Sequence, residues 1–250
     1  MSSMRINLFD CPIDALTLDQ TIQKIDDAIR QKKHIHHVFV NVATIVHLQD
    51  DPVLKRGVVN CDIINADGLG VVWAANALGL HIPERVSGPD LMEKIVELSH
   101  HKGYKIYFLG AEEWVVKKVT EVYAEKYSPD IIAGYHHGYF TAEDEPALAQ
   151  MIAATKPNIL FVAMTSPKKE DFLYRNKSIF SEINMITGVG GCFDLVAGKT
   201  KRAPKWMQKV GLEWFYRMIQ EPRRLVGRYI TTNAAMAKMI IFRKLKLNRK

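Results

Sequence analysis

From residue 104 onward the chain alternates short apolar runs with longer amphipathic ones, and this alternation constrains the fold more than any other feature. Residues 104–109, 131–133, 159–164 and 183–189 read as strands, and residues 112–127, 143–155 and 168–179 as helices. Strands separated by helices of this length are joined by crossovers, which implies βαβ units and a mostly parallel sheet with right-handed connections. The first hundred residues fit the same scheme. Ile6-Asn7-Leu8-Phe9 suggests a short strand at a sheet edge, and residues 17–31 a helix capped by Thr17 or Asp19. Val38-Phe39-Val40 reads as a strand ending in Asn41, followed by a helix over 44–51. Val58-Val59 and Ile63-Ile64 have the β-branched, apolar character of a central strand. That strand stops at the polar corner Asn65-Ala66-Asp67-Gly68 and turns into a helix carrying Leu69, Val72, Trp73 and Ala77. A polar loop over 84–90 leads into a helix that Ser87 or Pro89 would open.

At 250 residues, with 48% hydrophobic and 24% charged residues, the chain can build a sizeable core. Cys11, Cys61 and Cys192 are too scattered for a disulfide framework or a thiolate metal site, which points to a reducing compartment. No apolar run approaches the ~18 residues of a membrane span, and the first twelve residues lack a signal-peptide pattern. The net charge of +7 conceals a division. Residues 201–250 hold 14 basic and 2 acidic residues, whereas the first 200 hold 20 basic and 25 acidic. A basic tail on a mildly acidic body is expected to meet phosphates. Its aromatic residues follow helical spacing, as in helices seated on an anionic lipid surface. A solvated helix pair packed on the body is the alternative, and no nucleic-acid-binding motif is visible.

Parallel α/β sheets bind ligands beyond the carboxyl ends of their strands. Asp67 falls at such an end, where a carboxylate serves either as a helix cap or as a catalytic group. Asn41 is a second polar residue at a strand end, and Arg85 is a surface charge or an anion ligand. Phe108-Leu109-Gly110-Ala111 is a strand-to-helix turn with one glycine, short of a dinucleotide fingerprint. Gly188-Val189-Gly190-Gly191-Cys192-Phe193-Asp194 lets the backbone approach a diphosphate, or simply permits tight packing. A P-loop is absent, and histidines 34, 36, 37, 136 and 137 fall in no metal-binding pattern, so no metal site is expected.

Four ordered segments resemble the WecG/TagA/CpsF family of bacterial glycosyltransferases: residues 65–73, residues 85–90, residues 188–194, and residues 201–206 continuing through Gly211-Leu212-Glu213-Trp214 to Arg217 and Glu221-Pro222. The resemblance covers nearly the whole chain. It implies a Rossmann-like α/β domain over residues 1–195 and a basic, helical, membrane-associating appendage over 196–250. It further implies a cytoplasmic enzyme at the inner membrane face that transfers a sugar from a UDP-sugar to a polyprenyl-diphosphate-linked saccharide. Inversion at the anomeric carbon, independence of metal and other cofactors, and self-association also follow from the resemblance. Asp67 then matches the general base, Asn41 and Arg85 pocket positions, and Asp194 with Gly110, Gly188, Gly190 and Gly191 the nucleotide region. Arg217, Arg224 and Arg228 fall among the basic residues of the appendage, with Gly227 standing at another such position. Two departures keep the donor open among N-acetylmannosamine, glucose and glucuronate. Lys169 stands where members often carry Gln, near the expected substrate pocket, and Phe39 where they often carry Thr. The competing expectation is a nucleotide-sugar-binding regulator of polysaccharide synthesis that performs no chemistry.

Overall fold

The computed structural model describes residues 5–247, the side chains of Arg224 and Leu247 excepted. A hairpin of β1 (Arg5–Leu8) and β2 (Cys11–Asp14) opens the chain, followed by α1 (Leu18–Arg30), β3 (Ile35–Val40), α2 (Val42–His47), α3 (Pro52–Val59), β4 (Ile63–Ala66), α4 (Leu69–Ala77) and α5 (Gly88–Lys102). Then come β5 (Ile106–Gly110), α6 (Glu113–Lys126), β6 (Ile132–His136), α7 (Glu145–Ala154), β7 (Ile159–Ala163), α8 (Lys168–Arg175) and β8 (Met185–Gly188). The last helices are α9 (Cys192–Val196), α10 (Lys205–Lys209), α11 (Glu213–Gln220) and α12 (Pro222–Leu247).

Strands β3 to β8 form one parallel sheet in the order β4-β3-β8-β7-β5-β6. Side chains alternate between its faces, as the two-residue period of a strand requires. Ile106, Phe108, Ile159, Phe161 and Met185 meet α1, α5, α6 and α9 on one side. Tyr107, Leu109, Leu160, Val162 and Ile186 meet α7 and α8 on the other, and Val38, Val40 and Ile64 continue that face toward α2, α3 and α4. Both faces are covered, so the strands read as continuous apolar runs. A buried phenylalanine such as Phe108 or Phe161 contributes about 2–3 kcal/mol by leaving water.

Local signals fix the helix starts. The Thr17 hydroxyl accepts from the Gln20 amide while Gln20 accepts from the Thr17 amide, a reciprocal capping box that selects Thr17 over Asp19. Ser87 caps α5, with Pro89 in its first turn.

Four details differ from the sequence reading. Val58-Val59 end a helix: the expected 44–51 helix is α2 over 42–47, and Asp51 caps a further helix, α3, that begins at Pro52. Strand β4 is an edge of the sheet and not a central strand, and it looks buried because the β1–β2 hairpin covers its free edge. There the Ile64 amide donates to Asp14 Oδ2 at 2.8 Å, and Arg5, paired with Asp14, donates to the Asp62 carbonyl at 2.8 Å. The first strand therefore pairs within its own hairpin instead of joining the main sheet. Finally, α8 stops at Arg175, four residues short of 179.

The basic C-terminal helices lie against the body. Leu225, Thr232 and Met236 of α12 are buried, and Met236 joins the apolar cluster that holds α2 and α4. No helix among the described residues is long and apolar enough to cross a membrane.

Candidate active site at the carboxyl ends of the strands

Because all six strands run the same way, their carboxyl ends share one edge of the sheet. The chain leaves β3 toward the α2 face and leaves its neighbour β8 toward the α9 face. Divergence of adjacent strands opens a crevice, the usual ligand site in such sheets. Asn41, Asp67 and the Gly190-Gly191 corner follow β3, β4 and β8, so the topology gathers residues that lie 150 positions apart in the chain.

Asp67 is fixed by its backbone: its amide donates to the Val40 carbonyl at 2.8 Å, and Gly68 at φ +97° turns the chain into α4. Asp67 is not the cap of α4; Gly68 holds that position without a side-chain bond. The Val86 amide donates to the Ala66 carbonyl at 2.9 Å and brings the Arg85 loop alongside. Arg85 Nη1 lies 2.9 Å from Glu213 Oε2, both side chains being mostly buried. Arg202 grips Asp90 through Nη1 and Nη2 at 2.6 and 2.7 Å, and its Nε lies 3.6 Å from Glu213 Oε1. Arg217 reaches the glycine corner: its Nη2 stands 2.8 Å from where a Cβ on Gly191 would be. Gly191 thus leaves room for a guanidinium, and Gly190 holds φ +53°.

Burial pushes the Asp67 carboxyl up to about 6; the charges of Glu213 and Asp90 add to this, and those of Arg217 and Arg85 oppose it. Near neutral pH it is therefore an ionised carboxylate of raised basicity. Behind it lies a neutral support. Burial holds His37 down to about 4. Its uncharged ring donates from Nε2 to Asn65 Oδ1 at 2.9 Å and accepts the Thr187 hydroxyl at Nδ1 at 2.7 Å. This chain ties β3, β4 and β8 together two residues before Asp67.

Other expected residues fall into distinct places. Asn41 caps α2, accepting from the Thr44 amide at 3.0 Å. Gly110, at φ +125°, leaves no room for a Cβ, which would stand 2.4 Å from the Ala163 carbonyl oxygen of β7. Gly188 faces the Lys169 side chain, whose Nζ lies 3.0 Å from Glu170 Oε1. The structure therefore gives Lys169 to Glu170, and does not bring it to the Asp67 cluster. Asp194 lies 3.7 Å from Lys199 Nζ. Arg228 is exposed, its guanidinium over the Tyr229 ring, and Arg224 belongs to α12 with its side chain outside the described residues. A hollow of about 360 Å³ lined by His136, His137, Tyr139 and Asp144 lies beyond β6, at the opposite sheet edge, and contains no residue of the cluster. Among the described residues, no group of three His, Cys, Asp or Glu is placed to hold a metal ion.

Sequence reasoning passed over Glu213, Arg202 and Asp90 as site residues. Glu213 had a usable signal, being one of two acids in a fifty-residue basic segment.

Residues 6–250 match the glycosyl transferase WecG/TagA/CpsF family. Among curated proteins, the chain is 35% identical over 163 residues to an N-acetylglucosaminyldiphosphoundecaprenol N-acetyl-beta-D-mannosaminyltransferase of Bacillus subtilis, covering 65% of this chain and 62% of that enzyme. Enzymes of the same name are 30% identical in Bacillus spizizenii (80% of this chain, 79% of the relative) and 29% identical in Staphylococcus aureus (91% and 89%). With a match over nearly its full length, the chain belongs to the WecG/TagA/CpsF family of glycosyl transferases.

Proposed function

We propose that this glycosyl transferase moves N-acetylmannosamine from its UDP donor to a hydroxyl of polyprenyl-diphosphate-linked N-acetylglucosamine, with inversion at the anomeric carbon. The relatives' activity supports the sugar and the acceptor. The observation that carries the chemistry is Asp67, a carboxylate raised to about 6 at the strand ends with Arg85 and Arg217 acting on it.

Asp67 takes the proton of the acceptor hydroxyl as that oxygen attacks the anomeric carbon. The bond from that carbon to the UDP oxygen breaks, and its electron pair leaves with the diphosphate. A base near the working pH combines the correct protonation state with adequate driving force. The leaving diphosphate needs positive partners, a role this reading gives to Arg217 beside Gly191 and to the backbone amides of the glycine corner. Chemistry at these groups requires no metal ion.

The lipid-linked acceptor requires a membrane surface, and the proposal seats the C-terminal helices on its cytoplasmic face. Phe215, Ile219, Ile230, Ile241, Phe242 and Leu245 are exposed on α11 and α12 among Lys238, Arg243, Lys244 and Lys246. Apolar side chains with a basic surround suit anionic headgroups.

The test is transfer from a panel of UDP-sugars to a short-chain prenyl-diphosphate N-acetylglucosamine, with chelator present, read by mass spectrometry. Addition of one N-acetylhexosamine mass from the manno donor is expected, and Asp67→Asn is expected to lower turnover by about 10²–10⁴-fold while UDP binding persists. Near-normal turnover in that variant removes Asp67 as the base. Donor binding without any product moves the reading to a non-catalytic sugar-nucleotide-binding protein.

A further inference from the structure

The C-terminal fifty residues place one of their two acids in the most crowded part of the site. Glu213 is the first residue of α11, just after Gly211, whose φ of +78° and close approach to Leu69 and Trp73 set α11 down beside α4. Arg85 and Arg202 hold its two oxygens at 2.9 and 3.6 Å. Arg217, four residues on, lies on the same face of α11 and reaches Gly191. One helical turn therefore delivers a carboxylate and a guanidinium to the same strand end.

As an anchor, the Glu213 carboxylate gains charge-assisted contacts with Arg85 and Arg202, at the cost of a second negative charge acting on Asp67. A glutamine could meet Arg85 without that cost, since an amide oxygen also accepts from a guanidinium. The charge therefore acts on Asp67 as well as on the two arginines.

We propose that Glu213 is a positioning residue for sugar transfer, fixing the Arg85 guanidinium and placing a negative charge beside Asp67 that keeps Asp67 a strong base. This rests on the reading of Asp67 as the base. The groups acting on Asp67 are Glu213 and Arg217 from α11, Arg85 from the loop before α5, and Asp90 from α5. Cys192 of α9 faces it as a thiol that burial and the Asp67 charge keep protonated. Removal of the Glu213 charge takes away the largest effect after burial that raises the Asp67 carboxyl, so Asp67 binds its proton less tightly. The base is then ionised at lower pH and is weaker wherever it is ionised. Docking of α11 thus completes the base as well as the diphosphate site.

Two measurements on the full-length protein test this. In Glu213→Gln, the acid limb of the kcat/KM profile is expected to move about one pH unit lower, with kcat on the plateau down about tenfold. Loss of activity with the limb unmoved would reduce Glu213 to an anchor. The second readout needs no turnover: the Asp67 carboxyl, labelled with ¹³C and assigned by its disappearance in Asp67→Asn, is titrated by NMR. Its midpoint is expected to fall in Glu213→Gln, and an unchanged midpoint overturns the proposal. Glu213→Ser, which admits water beside Arg85, carries the same expectation if the glutamine variant does not fold. A wild-type protein that transfers no sugar would remove the reading of Asp67 as base, while the titration would still decide whether Glu213 controls its proton.

Discussion

Two buried sets of opposite charges, assembled in different ways, divide the labour of this molecule. Lys169 and Glu170 are consecutive residues at the start of α8. They pair at 3.0 Å, and the Ser166 hydroxyl donates to the same Glu170 oxygen at 2.9 Å. The Glu170 side chain fills the space left by Gly57 of α3, so the pair cements α8 to α3 over the sheet. The Asp67 set is drawn from a strand end, a loop and helix over 85–90, and a tail over 202–217. A pair built from chain neighbours draws both charges from one helix and needs only the packing of that helix on α3 to fix its rotamers. A set drawn from distant segments exists only when the tail is docked, and its charges need not cancel locally. The first arrangement suits cohesion, and the second suits chemistry.

The largest effect expected from this contrast is on the α8 pair. Glu170→Ala leaves the Lys169 ammonium buried without its counter-charge and is expected to cost about 3–5 kcal/mol of stability, read by urea unfolding. The double variant Lys169→Met/Glu170→Met removes both charges and is expected to lie within about 1 kcal/mol of the wild type or above it. If both variants lose the same amount, volume and not charge pairing governs the site.

How much of this was legible in the sequence follows the same division. The sheet was readable because its signals are local: the run Ile159–Ala163 is apolar throughout and Thr17 begins a capping box with Gln20. Pairing order was not, because apolar runs look alike in a parallel sheet; β4 passed for a central strand since a hairpin hides its edge. At the site, Asp67 announced itself by standing between a β-branched run and a glycine. Its neighbours did not. No spacing rule connects Asp67 with Arg85, Glu213 and Arg217, and only the docking of α11 brings them together. Lys169 shows the converse, because the resemblance set it near the pocket while its side chain pairs with Glu170.

The histidines of β3 and the Asp67 carboxyl respond to acid with opposite sign. His36 lies near the α8 pair and is held down to about 4, by burial first and then by the Lys169 charge. An unfolded histidine titrates near 6.5, so between about pH 6.5 and 4 the unfolded chain holds more protons and stability falls as pH falls. His37, also held to about 4, acts in the same direction. His36→Gln is expected to remove about half of the acid loss, about 1–2 kcal/mol between pH 7 and pH 4.5. An unaltered acid limb in thermal melts would place that loss elsewhere.

Asp67 supplies the smallest and most telling effect, because here the sign reverses. Its folded-state value near 6 lies above the ordinary 3.8, so the folded chain binds this proton more tightly than the unfolded one. Ionisation of Asp67 therefore weakens the fold above pH 6, and the penalty fades as pH falls through 6 toward 4. Asp67→Asn abolishes the charge and is expected to stabilise the protein by about 1 kcal/mol at pH 8, the buried amide offsetting part of a two-unit shift. By pH 4, where the wild-type carboxyl is already protonated, the gain should turn into a loss, because the cost of the buried amide remains. A variant that is inactive yet more stable at pH 8 marks a residue kept for chemistry at the expense of the fold. A variant no more stable at pH 8 than at pH 4 would mean that the Asp67 charge is fully compensated, and the contrast between the two sets would then rest on their assembly alone.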